Sequence, residues 1–367
     1  MSTETERLRI GLIGANGRWG PSAHIPAIQH LSQTELYAVC TAHEDTARAA
    51  AEKYSVEMAY WDDADMLANT QVEAVAVIVR VPIHYELTMN AMRAGKHVYC
   101  EWPLGANLKE AQEIADLART AGVQTMVGLQ ARSSPGHLRF KELVNEGYVG
   151  EVLSAHLYII NGGVLTRTSD RTWQREVAAG ANPMTIPFGH AVDALCMCLG
   201  EFADVSATVS TQVDKWYETD TEKYVDVTSP DSVLVNGRLQ SGVVVTASML
   251  NVPYHASGMR MEVFGREGTL VLTSAGSGQT GGVKLLGGRK DDRELQELDV
   301  PERLTWVPQG TPEGAPFNVA QMWARFANAI RTGQRTEPDF ETALTRHKML
   351  DAVQRSSDEG RRIVVGA

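Results

Sequence analysis

The chain has 367 residues, a formal net charge of −11 and 43% hydrophobic residues. This length predicts two domains, because a single hydrophobic core seldom grows past roughly 250–300 residues. The acidic balance, without a dense run of lysine and arginine, argues against nucleic acid and anionic membranes as partners. No stretch approaches the roughly 18 apolar residues that a membrane span needs, and the N-terminus has no apolar signal core, so we expect a cytoplasmic protein.

The cysteines are Cys40, Cys100, Cys196 and Cys198, and each lies in an apolar run. This position predicts buried free thiols in a reducing compartment rather than disulfides. Cys196 and Cys198 have no second Cys/His pair near them in sequence, so we predict no metal site.

The first third of the chain alternates apolar strands with helices. The predicted strands are "LRIGLIG", "ELYAVCT", "EAVAVIVRV", "KHVYC" and "VQTMVGL", and the helices between them include "EDTARAAAEKY", "YELTMNAMRAG" and "NLKEAQEIADLARTAG". The last helix has Asn107 as a predicted N-cap, with Glu110 three residues later. This alternation predicts a Rossmann domain over residues 1–130, an α/β unit with a doubly wound parallel sheet.

After about Arg132 the pattern changes to short alternating runs such as "EVLSAHLYII", "DSVLVNGRL" and "GVVVTASML". They predict a C-terminal α/β domain over residues 131–367, with a large, open and mostly antiparallel sheet. Helices are expected at "GHLRFKELVNEG", at "FGHAVDALCMCLG" and in the last fifty residues. The glycine-rich segment 274–294 is expected to be a flexible hairpin region.

The stretch "GLIGANGRWG" places Gly11, Gly14, Gly17 and Gly20 directly after the first strand. Glycines there let the backbone turn tightly and approach a pyrophosphate at the N-terminus of the next helix. The spacing G-x-x-G-x-x-G is one residue longer than the usual dinucleotide fingerprint. The position after strand one of a βαβ series still predicts a dinucleotide cofactor.

The second strand is followed by Thr41, at the position where an acid often binds the adenosine ribose. The nearest charged residues are Glu44 and Asp45, which would repel a 2′-phosphate. We therefore predict NAD as the cofactor, with NADP less favoured.

Several motifs resemble, in order and spacing, those of the Gfo/Idh/MocA oxidoreductases. These motifs are "GLIGANGRWG", "VPIHYE", "AGKHVYCEWPL", "QARSSPGHLRFKELVNEGYVGEV", "GHAVD" and "SSDEGRRIVV". The resemblance implies a Rossmann domain followed by an α/β domain whose open sheet often forms a subunit interface, so we expect a homo-oligomer, a dimer or a tetramer. It also implies a sugar, polyol or sugar acid as the small-molecule substrate, which NAD(P) oxidises or reduces at a secondary carbinol.

The resemblance also implies roles for individual residues. Cofactor contacts are expected from Gly11, Gly14, Asn16, Gly17, Arg18, Trp19, Thr41, His84, Glu101, Trp102 and Pro103. For His84 the alternative is a plain helix N-terminus. His190 matches the catalytic histidine, which can take the hydroxyl proton and also contacts substrate, and Asp193 matches its companion. Without the resemblance, a buried histidine satisfied by a carboxylate would be the better interpretation.

Two positions depart from the family pattern. Trp102 stands where relatives have a lysine in Glu-Lys-Pro, and Ile186 stands where they have an aspartate before the histidine. Lys96 cannot replace that lysine, since it lies at the other end of the strand. Trp102 is expected to form an apolar wall against a sugar or the nicotinamide ring, with core filling as the alternative. Glu-Trp-Pro resembles the branch that includes the fungal galactose-pathway repressor, which senses rather than catalyses.

The segment "TRTSDRTWQRE" places Arg167, Arg171 and Arg175 four residues apart, with Trp173 between them. One interpretation is a solvated helix face. The other is a substrate-binding fork for a carboxylate or sulfonate, because arginine suits planar and tripodal oxyanions.

Three functions are open from the sequence. The first is an NAD-dependent oxidoreductase that acts on a sugar or sugar acid, with an anionic sugar as one option for the substrate. The second is an oxidoreductive glycosidase that borrows and returns a hydride within one turnover. The third is a sugar or dinucleotide sensor without catalysis.

Overall fold

The computed structural model describes residues 7–366, which form two compact units. The first unit comprises residues 7–130 and Trp306–Leu344, and the second comprises Ala131–Thr305 and residues 345–366. The chain leaves the first unit after Gln130 and returns to it at Trp306. Segment 306–344, which we placed in the C-terminal domain, instead packs within the first unit.

The α-helices of the described residues are α1 (Ile25–His30), α2 (Glu44–Tyr54), α3 (Asp63–Ala68), α4 (His84–Arg93), α5 (Leu108–Ala118), α6 (Pro135–Asn145), α7 (Gly189–Leu199), α8 (Ala315–Thr332) and α9 (Phe340–Glu359). Two short π-helical segments, Gly20–His24 and Met184–Phe188, run directly into α1 and α7. Within residues 7–366 no helix is both long enough and apolar enough to cross a lipid bilayer.

The first unit is built on a parallel sheet of six strands. These are β1 (Leu8–Ile13), β2 (Thr34–Cys40), β3 (Met58–Tyr60), β4 (Ala74–Val77), β5 (His97–Glu101) and β6 (Thr125–Gly128). Their order is β3-β2-β1-β4-β5-β6, and every pairing is parallel. The predicted doubly wound sheet is confirmed. Its strand order reverses between β1 and β4, and this reversal opens a crevice at the carboxyl ends of the strands.

Helix α8 completes the core of this unit. Its side chains Trp323 and Phe326 are fully buried, and Trp323 stacks on Tyr99 of β5 with ring centroids 4.8 Å apart. The helix packs against α1 and β2, and its apolar residues join one core cluster with those of β1 and α1. The apolar face of α8 therefore accounts for the return of the chain to the first unit.

The second unit contains a nine-stranded and a three-stranded sheet. Its strands are β7 (Val152–Asn161), β8 (Thr166–Arg167), β9 (Phe202–Ser210), β10 (Lys215–Glu218), β11 (Lys223–Asp226), β12 (Ser232–Leu239), β13 (Val244–Asn251), β14 (Gly258–Gly265), β15 (Gly268–Ser274), β16 (Lys284–Arg289), β17 (Gln296–Glu297) and β18 (Ile363–Val364). The large sheet has the order β17-β16-β15-β14-β7-β13-β12-β9-β18, and β8 joins β10 and β11 in the small one.

The large sheet is mostly antiparallel, as predicted, except that β7 and β13 pair in parallel. One face is buried and the other is open. On β12, for example, Val233 and Val235 are buried while Leu234 and Asn236 are exposed. The glycine-rich segment 274–294 is not simply a flexible hairpin, because β16 lies within it and pairs with β15.

Two local predictions are confirmed. Asn107 caps α5, since its Oδ1 accepts from the Glu110 backbone N–H at 3.0 Å, and the Glu110 carboxylate accepts from the Ala106 N–H at 2.8 Å. The four cysteines are buried free thiols.

Candidate functional site

The glycine loop after β1 forms a tight cradle. Gly14 has φ +103°, and a Cβ on it would lie 2.0 Å from the carbonyl oxygen of Ile78. A Cβ on Gly20 would lie 2.8 Å from the Gly14 carbonyl oxygen, which also accepts a hydrogen bond from the Gly17 N–H at 3.1 Å. Only glycine fits at Gly14 and Gly20. The loop then leads into the π-helical segment Gly20–His24, so backbone N–H groups gather at its start.

This cradle fits a dinucleotide phosphate group. Asn16, Gly17 and Arg18 are exposed at its rim, whereas Trp19 is half-buried. The indole nitrogen of Trp19 is buried without a hydrogen-bond partner among the described residues, although a buried Trp N–H usually finds one. The glycine at position 11 is explained by packing rather than by the cofactor, because it lies within β1 and a Cβ there would lie 2.8 Å from Met66 Sδ. Its predicted cofactor contact stays a prediction.

Thr41 follows β2 directly and is 5% exposed. Its hydroxyl oxygen lies 2.7 Å from the Thr46 hydroxyl oxygen and 3.0 Å from the His43 carbonyl oxygen. Nearby, Glu44 pairs with Arg48 at 2.7 Å. The end of β2 is thus polar, and its arginine is already paired with a carboxylate.

His84 fastens two loops together. His84 is the first residue of α4. Its Nδ1 lies 2.8 Å from the Pro103 carbonyl oxygen, and its Nε2 lies 3.1 Å from the Val79 carbonyl oxygen. Burial lowers the pKa of His84, against the opposing effect of these carbonyls. A neutral imidazole has one N–H, so one of the two contacts is a hydrogen bond at a time. The position matches the helix N-terminus that we gave as the alternative, and a ribose contact stays a prediction.

Glu101 ends β5 and is 8% exposed. One carboxylate oxygen lies 2.7 Å from His24 Nε2, and the Gln130 side-chain amide donates to both oxygens at 2.9 and 3.0 Å. The Trp323 indole N–H donates to His24 Nδ1 at 3.1 Å. The carboxylate is therefore held at the carboxyl edge of the sheet by a buried chain of side chains.

Trp102 follows directly and is 4% exposed, and its peptide bond to Pro103 is cis. Lys96, at the start of the same strand segment, donates its ammonium to the carbonyls of Asn69 and Val72 at 2.8 Å each. That ammonium is therefore occupied with backbone, in agreement with its exclusion as a substitute for the missing lysine.

In the second unit, the π-helical segment Met184–Phe188 runs into α7. The Asn182 side chain accepts from the backbone N–H groups of Met184 and Thr185 at 3.0 and 3.1 Å, which fixes the start of the segment. His190 is the second residue of α7 and is 6% exposed. Short π-helical segments occur frequently at functional sites, and this one positions the predicted catalytic histidine.

Asp193 is fully buried and receives two arginines. The Arg132 guanidinium donates to its two oxygens at 2.8 and 2.9 Å, and Arg346 Nε donates at 3.3 Å. Arg346, which is also fully buried, donates to both carboxylate oxygens of Glu201 at 3.0 Å and to Cys196 Sγ at 3.2 Å.

These contacts keep Asp193 ionised. Burial alone would raise the pKa of Asp193, but Arg132 and Arg346 bring this pKa below its ordinary value. Burial also raises the pKa of the Cys196 thiol, so this cysteine stays protonated. Asp193 thus ties α7 to two other segments, and its predicted action on the His190 tautomer stays a prediction.

The three arginines of the predicted fork differ in their surroundings. Arg167 ends β8, and its guanidinium carbon lies 4.7 Å from the centre of the Trp216 ring. Burial and the neighbouring Arg171 lower the pKa of Arg167 to about 10. Its Nε is buried without a hydrogen-bond partner among residues 7–366, while Nη1 donates to the Gly163 carbonyl oxygen at 3.1 Å.

The rest of the segment is a 3₁₀ helix, Ser169–Arg175. With three residues per turn, side chains four apart do not share a face. Arg175 pairs with Glu176 at 3.2 Å, whereas Arg171 acts electrostatically on Arg167. Trp173 lies between Arg171 and Arg175 in the sequence and is half-buried. Arg167 and Arg171 are thus together, and Arg175 is drawn to an acid.

Comparison with known proteins identifies both parts of the chain. Residues 8–129 match the GFO_IDH_MocA family, described as an oxidoreductase family with an NAD-binding Rossmann fold. Residues 135–274 match the family of the Gal80p C-terminal domain. Residues 8–129 belong to the Gfo/Idh/MocA oxidoreductase family. The C-terminal domain is of the Gal80p type, which confirms the resemblance found in the sequence.

Proteins that are similar to this chain include dehydrogenases. The chain is 28% identical to the dehydrogenase aclE of Aspergillus oryzae, covering 97% of this chain and 98% of that protein. It is also 28% identical to the myo-inositol 2-dehydrogenase of Thermotoga maritima, covering 72% and 74%. The galactose/lactose metabolism regulatory protein GAL80 of Saccharomyces cerevisiae is 28% identical over 65% of this chain and 59% of its own length.

Among solved structures, levoglucosan dehydrogenase in complex with NADH and levoglucosan superimposes with a TM-score of 0.86. The match covers 99% of this chain and 100% of that one at 20% identity, which supports the shared fold.

Sequence reasoning missed several residues around these sites. They are His24, Gln130, Arg132 and Arg346, whose partners lie far away in the sequence. Arg346 lies three residues after Ala343 and four before Leu350, on the apolar face of α9, and this spacing was a signal for a buried arginine that needs a carboxylate partner.

Proposed function

We propose that this protein is an NAD-dependent oxidoreductase that transfers hydride at a secondary hydroxyl of a sugar or sugar acid. The observation that carries the proposal is the glycine cradle after β1, in which Gly14 and Gly20 leave no room for a side chain. Its membership in an NAD-binding sugar dehydrogenase-type family supports it further.

The first unit would bind the cofactor, which supplies a hydride acceptor or donor at its nicotinamide ring when bound. The backbone N–H groups of the glycine loop would bind the pyrophosphate. Thr41 would lie at the adenosine ribose. Preference for NAD follows from Glu44, which would repel a 2′-phosphate, and from Arg48, whose charge this glutamate already neutralises.

The second unit would supply the acid–base group. As hydride leaves the carbinol carbon, the His190 imidazole would accept the hydroxyl proton, and in the reverse direction it would return that proton. Asp193, with Arg132 and Arg346, would hold α7 and therefore His190 in place. Trp102 would add an apolar wall.

Arg167 favours an anionic substrate. It has a depressed pKa, lies beside a second arginine and keeps a buried Nε for which no protein acceptor exists among the described residues. Two neighbouring guanidinium groups attract a carboxylate or sulfonate, because charge-assisted bonds to such groups are strong. A sugar acid or sulfo-sugar is the favoured substrate class.

The test is a panel of neutral sugars, sugar acids and sulfo-sugars with NAD, followed at 340 nm. We expect NADH formation with an anionic member and its loss in His190→Asn. Turnover of neutral sugars alone would contradict the anionic class, and full activity of His190→Asn would remove the histidine from the mechanism.

A second candidate is an oxidoreductive glycosidase, favoured by Trp102 in the lysine position. Oxidation of one carbinol acidifies the neighbouring C–H, so a base can remove that proton and expel the aglycone. Water then adds to the enone, and the hydride returns to the carbonyl carbon with a proton. Aryl glycosides of uronic acids or sulfo-sugars would then release aglycone while absorbance at 340 nm stays flat, whereas NADH growth matching product supports the dehydrogenase.

A third candidate is a non-catalytic sensor, favoured by the Gal80p-type C-terminal domain. Such a protein would bind dinucleotide or sugar in calorimetry without turning over any member of the two panels. We further propose a cytoplasmic homo-oligomer, a dimer or tetramer. Light scattering of the purified protein would test that assembly.

A further inference from the structure

We propose that His24 is a positioning residue that holds Glu101 as an oriented, ionised carboxylate, and that this charge favours the oxidised form of a bound nicotinamide cofactor. The inference rests on the proposed function for its cofactor. It concerns a residue that no sequence motif pointed to. His24 closes the π-helical segment Gly20–His24, directly after the phosphate cradle.

The contacts form a continuous buried chain. The Trp323 indole nitrogen lies 3.1 Å from His24 Nδ1, and His24 Nε2 lies 2.7 Å from the Glu101 carboxylate. Trp323 and His24 have no exposed surface. Tyr99 stacks on Trp323 and meets the His24 ring edge-on with centroids 5.1 Å apart, so both rings are locked.

This geometry determines the protonation of His24. The indole nitrogen of Trp323 can only donate, so His24 Nδ1 must present its lone pair. The ring proton therefore lies on Nε2 and is donated to Glu101. An imidazolium would direct a second N–H at the indole N–H, which the contact forbids. Trp323 thus keeps His24 neutral, and a neutral His24 does not cancel the charge of Glu101.

The strand order places this charge near the nicotinamide half of the crevice. In a sheet of order β3-β2-β1-β4-β5-β6, each half of the dinucleotide lies over one group of three strands. The end of β2 with Thr41 belongs to the adenosine half. Glu101, at the carboxyl end of β5, therefore belongs to the other half.

A carboxylate there distinguishes the two redox forms. The oxidised nicotinamide ring carries a positive charge and the reduced ring is neutral. Coulomb attraction over a few ångströms to about 10 Å then favours the oxidised form by about tenfold or more in affinity. The hydrogen bond from His24 keeps the oxygen in place, so that this preference depends on the orientation as well as the charge.

The first experiment needs no cofactor. In the ¹⁵N-labelled protein, long-range ¹H–¹⁵N spectra of the histidine rings should assign His24 to the neutral Nε2–H tautomer. Trp323→Phe keeps an aromatic ring on Tyr99 and removes the indole donor, so it should release that tautomer. An Nδ1–H tautomer or an imidazolium in the unaltered protein would overturn the proposal.

The second experiment measures the dissociation constants of NAD⁺ and NADH by calorimetry. Glu101→Gln should lower the preference for NAD⁺ about tenfold. His24→Leu should lower it by a smaller factor, whereas His24→Gln, which retains one donor and one acceptor, should restore most of it. An unchanged ratio in Glu101→Gln and Trp323→Phe would also overturn the proposal.

The two experiments separate the possible failures. If the protein bound neither NAD⁺ nor NADH while the tautomer was as expected, the proposed function would fail and the Trp323–His24–Glu101 geometry would stand. If both forms bound with a ratio that none of the variants changed, the roles of His24 and Glu101 in redox preference would be rejected, and the proposed function would stand. Circular dichroism of His24→Leu distinguishes loss of fold from loss of preference, and Trp323→Phe and Glu101→Gln then carry the test.

Discussion

Glu101 in the first unit and Asp193 in the second are both buried carboxylates, but they are satisfied by different partners. Glu101 accepts from the Gln130 amide and, in the tautomer that we propose, from a neutral His24. Asp193 accepts from Arg132 and Arg346, and Arg346 continues to Glu201, so two acids meet two cations.

This difference separates two uses of a buried charge. Ion pairs that balance each other fasten segments together, and removing one partner leaves the other charged group buried at high cost. Neutral donors orient a carboxylate without adding a charge of their own. The Asp193 cluster is therefore suited to rigidity, and the Glu101 chain is suited to acting on a ligand.

The largest expected effect is on the Asp193 cluster. Arg346→Met removes a fully buried guanidinium and leaves Asp193 and Glu201 without it, so we expect a loss of about 3–5 kcal/mol in the free energy of unfolding. Urea denaturation followed by circular dichroism measures this. Arg355→Met, on the same helix but with a partly exposed ion pair, is the matched control and should change the midpoint little. Equal losses in the two variants would contradict the comparison.

The next effect concerns catalysis by His190, at the start of α7. His190→Asn should lower kcat at least about 10²-fold, the lower range for loss of a general acid–base, while the dissociation constant of NAD⁺ stays nearly constant. Steady-state kinetics on the best substrate of the panel and calorimetry with NAD⁺ measure the two quantities. A change in NAD⁺ binding alone would indicate that His190 serves the cofactor.

His137 provides a third kind of buried polar group, since neither ring nitrogen has a hydrogen-bond partner within residues 7–366. Burial lowers the pKa of His137 from 6.5 to about 4. As the pH falls, the unfolded chain binds this proton before the folded chain does. The contribution of His137 to the free energy of unfolding is therefore fully present above about pH 6.5 and is lost as the pH falls towards 4. The slope from this group approaches about 1.4 kcal/mol per pH unit in that window.

Denaturation midpoints at several pH values should therefore fall less steeply in His137→Leu than in the unaltered protein. His255→Asn is the control, because His255 is exposed and asparagine tolerates its φ of +57°. Parallel profiles for all three proteins would show that the acid sensitivity has another source.

The smallest effect is expected on substrate affinity. Arg167→Leu should raise KM for an anionic substrate about tenfold, which corresponds to one lost charge-assisted bond, and should change kcat less. Arg175→Ala should leave KM unchanged, because Arg175 pairs with Glu176. A neutral substrate should respond to neither variant, and an equal response of both substrates would remove Arg167 as an anion site.

Much of the fold could be predicted from the sequence because its signals are local. Alternation of apolar strands with helices reveals a parallel sheet, and the α2 bounds and the Asn107 cap follow from residues within one or two turns. The arginine segment was harder, since spacing alone does not distinguish an α-helix from a 3₁₀ helix when polar residues dominate both.

The sequence by itself determined the Rossmann sheet, the glycine cradle and the identity of the residues that carry the family motifs, because propensity, periodicity and motif spacing are properties of neighbouring residues. Only the tertiary structure decided that α8 belongs to the first unit, that Trp323 directs the proton of His24, and that Arg132 and Arg346 hold Asp193. The partners in these contacts lie between 61 and 299 residues apart. Such pairings depend on which faces pack together, and a buried donor or acceptor finds its partner only after the chain has folded.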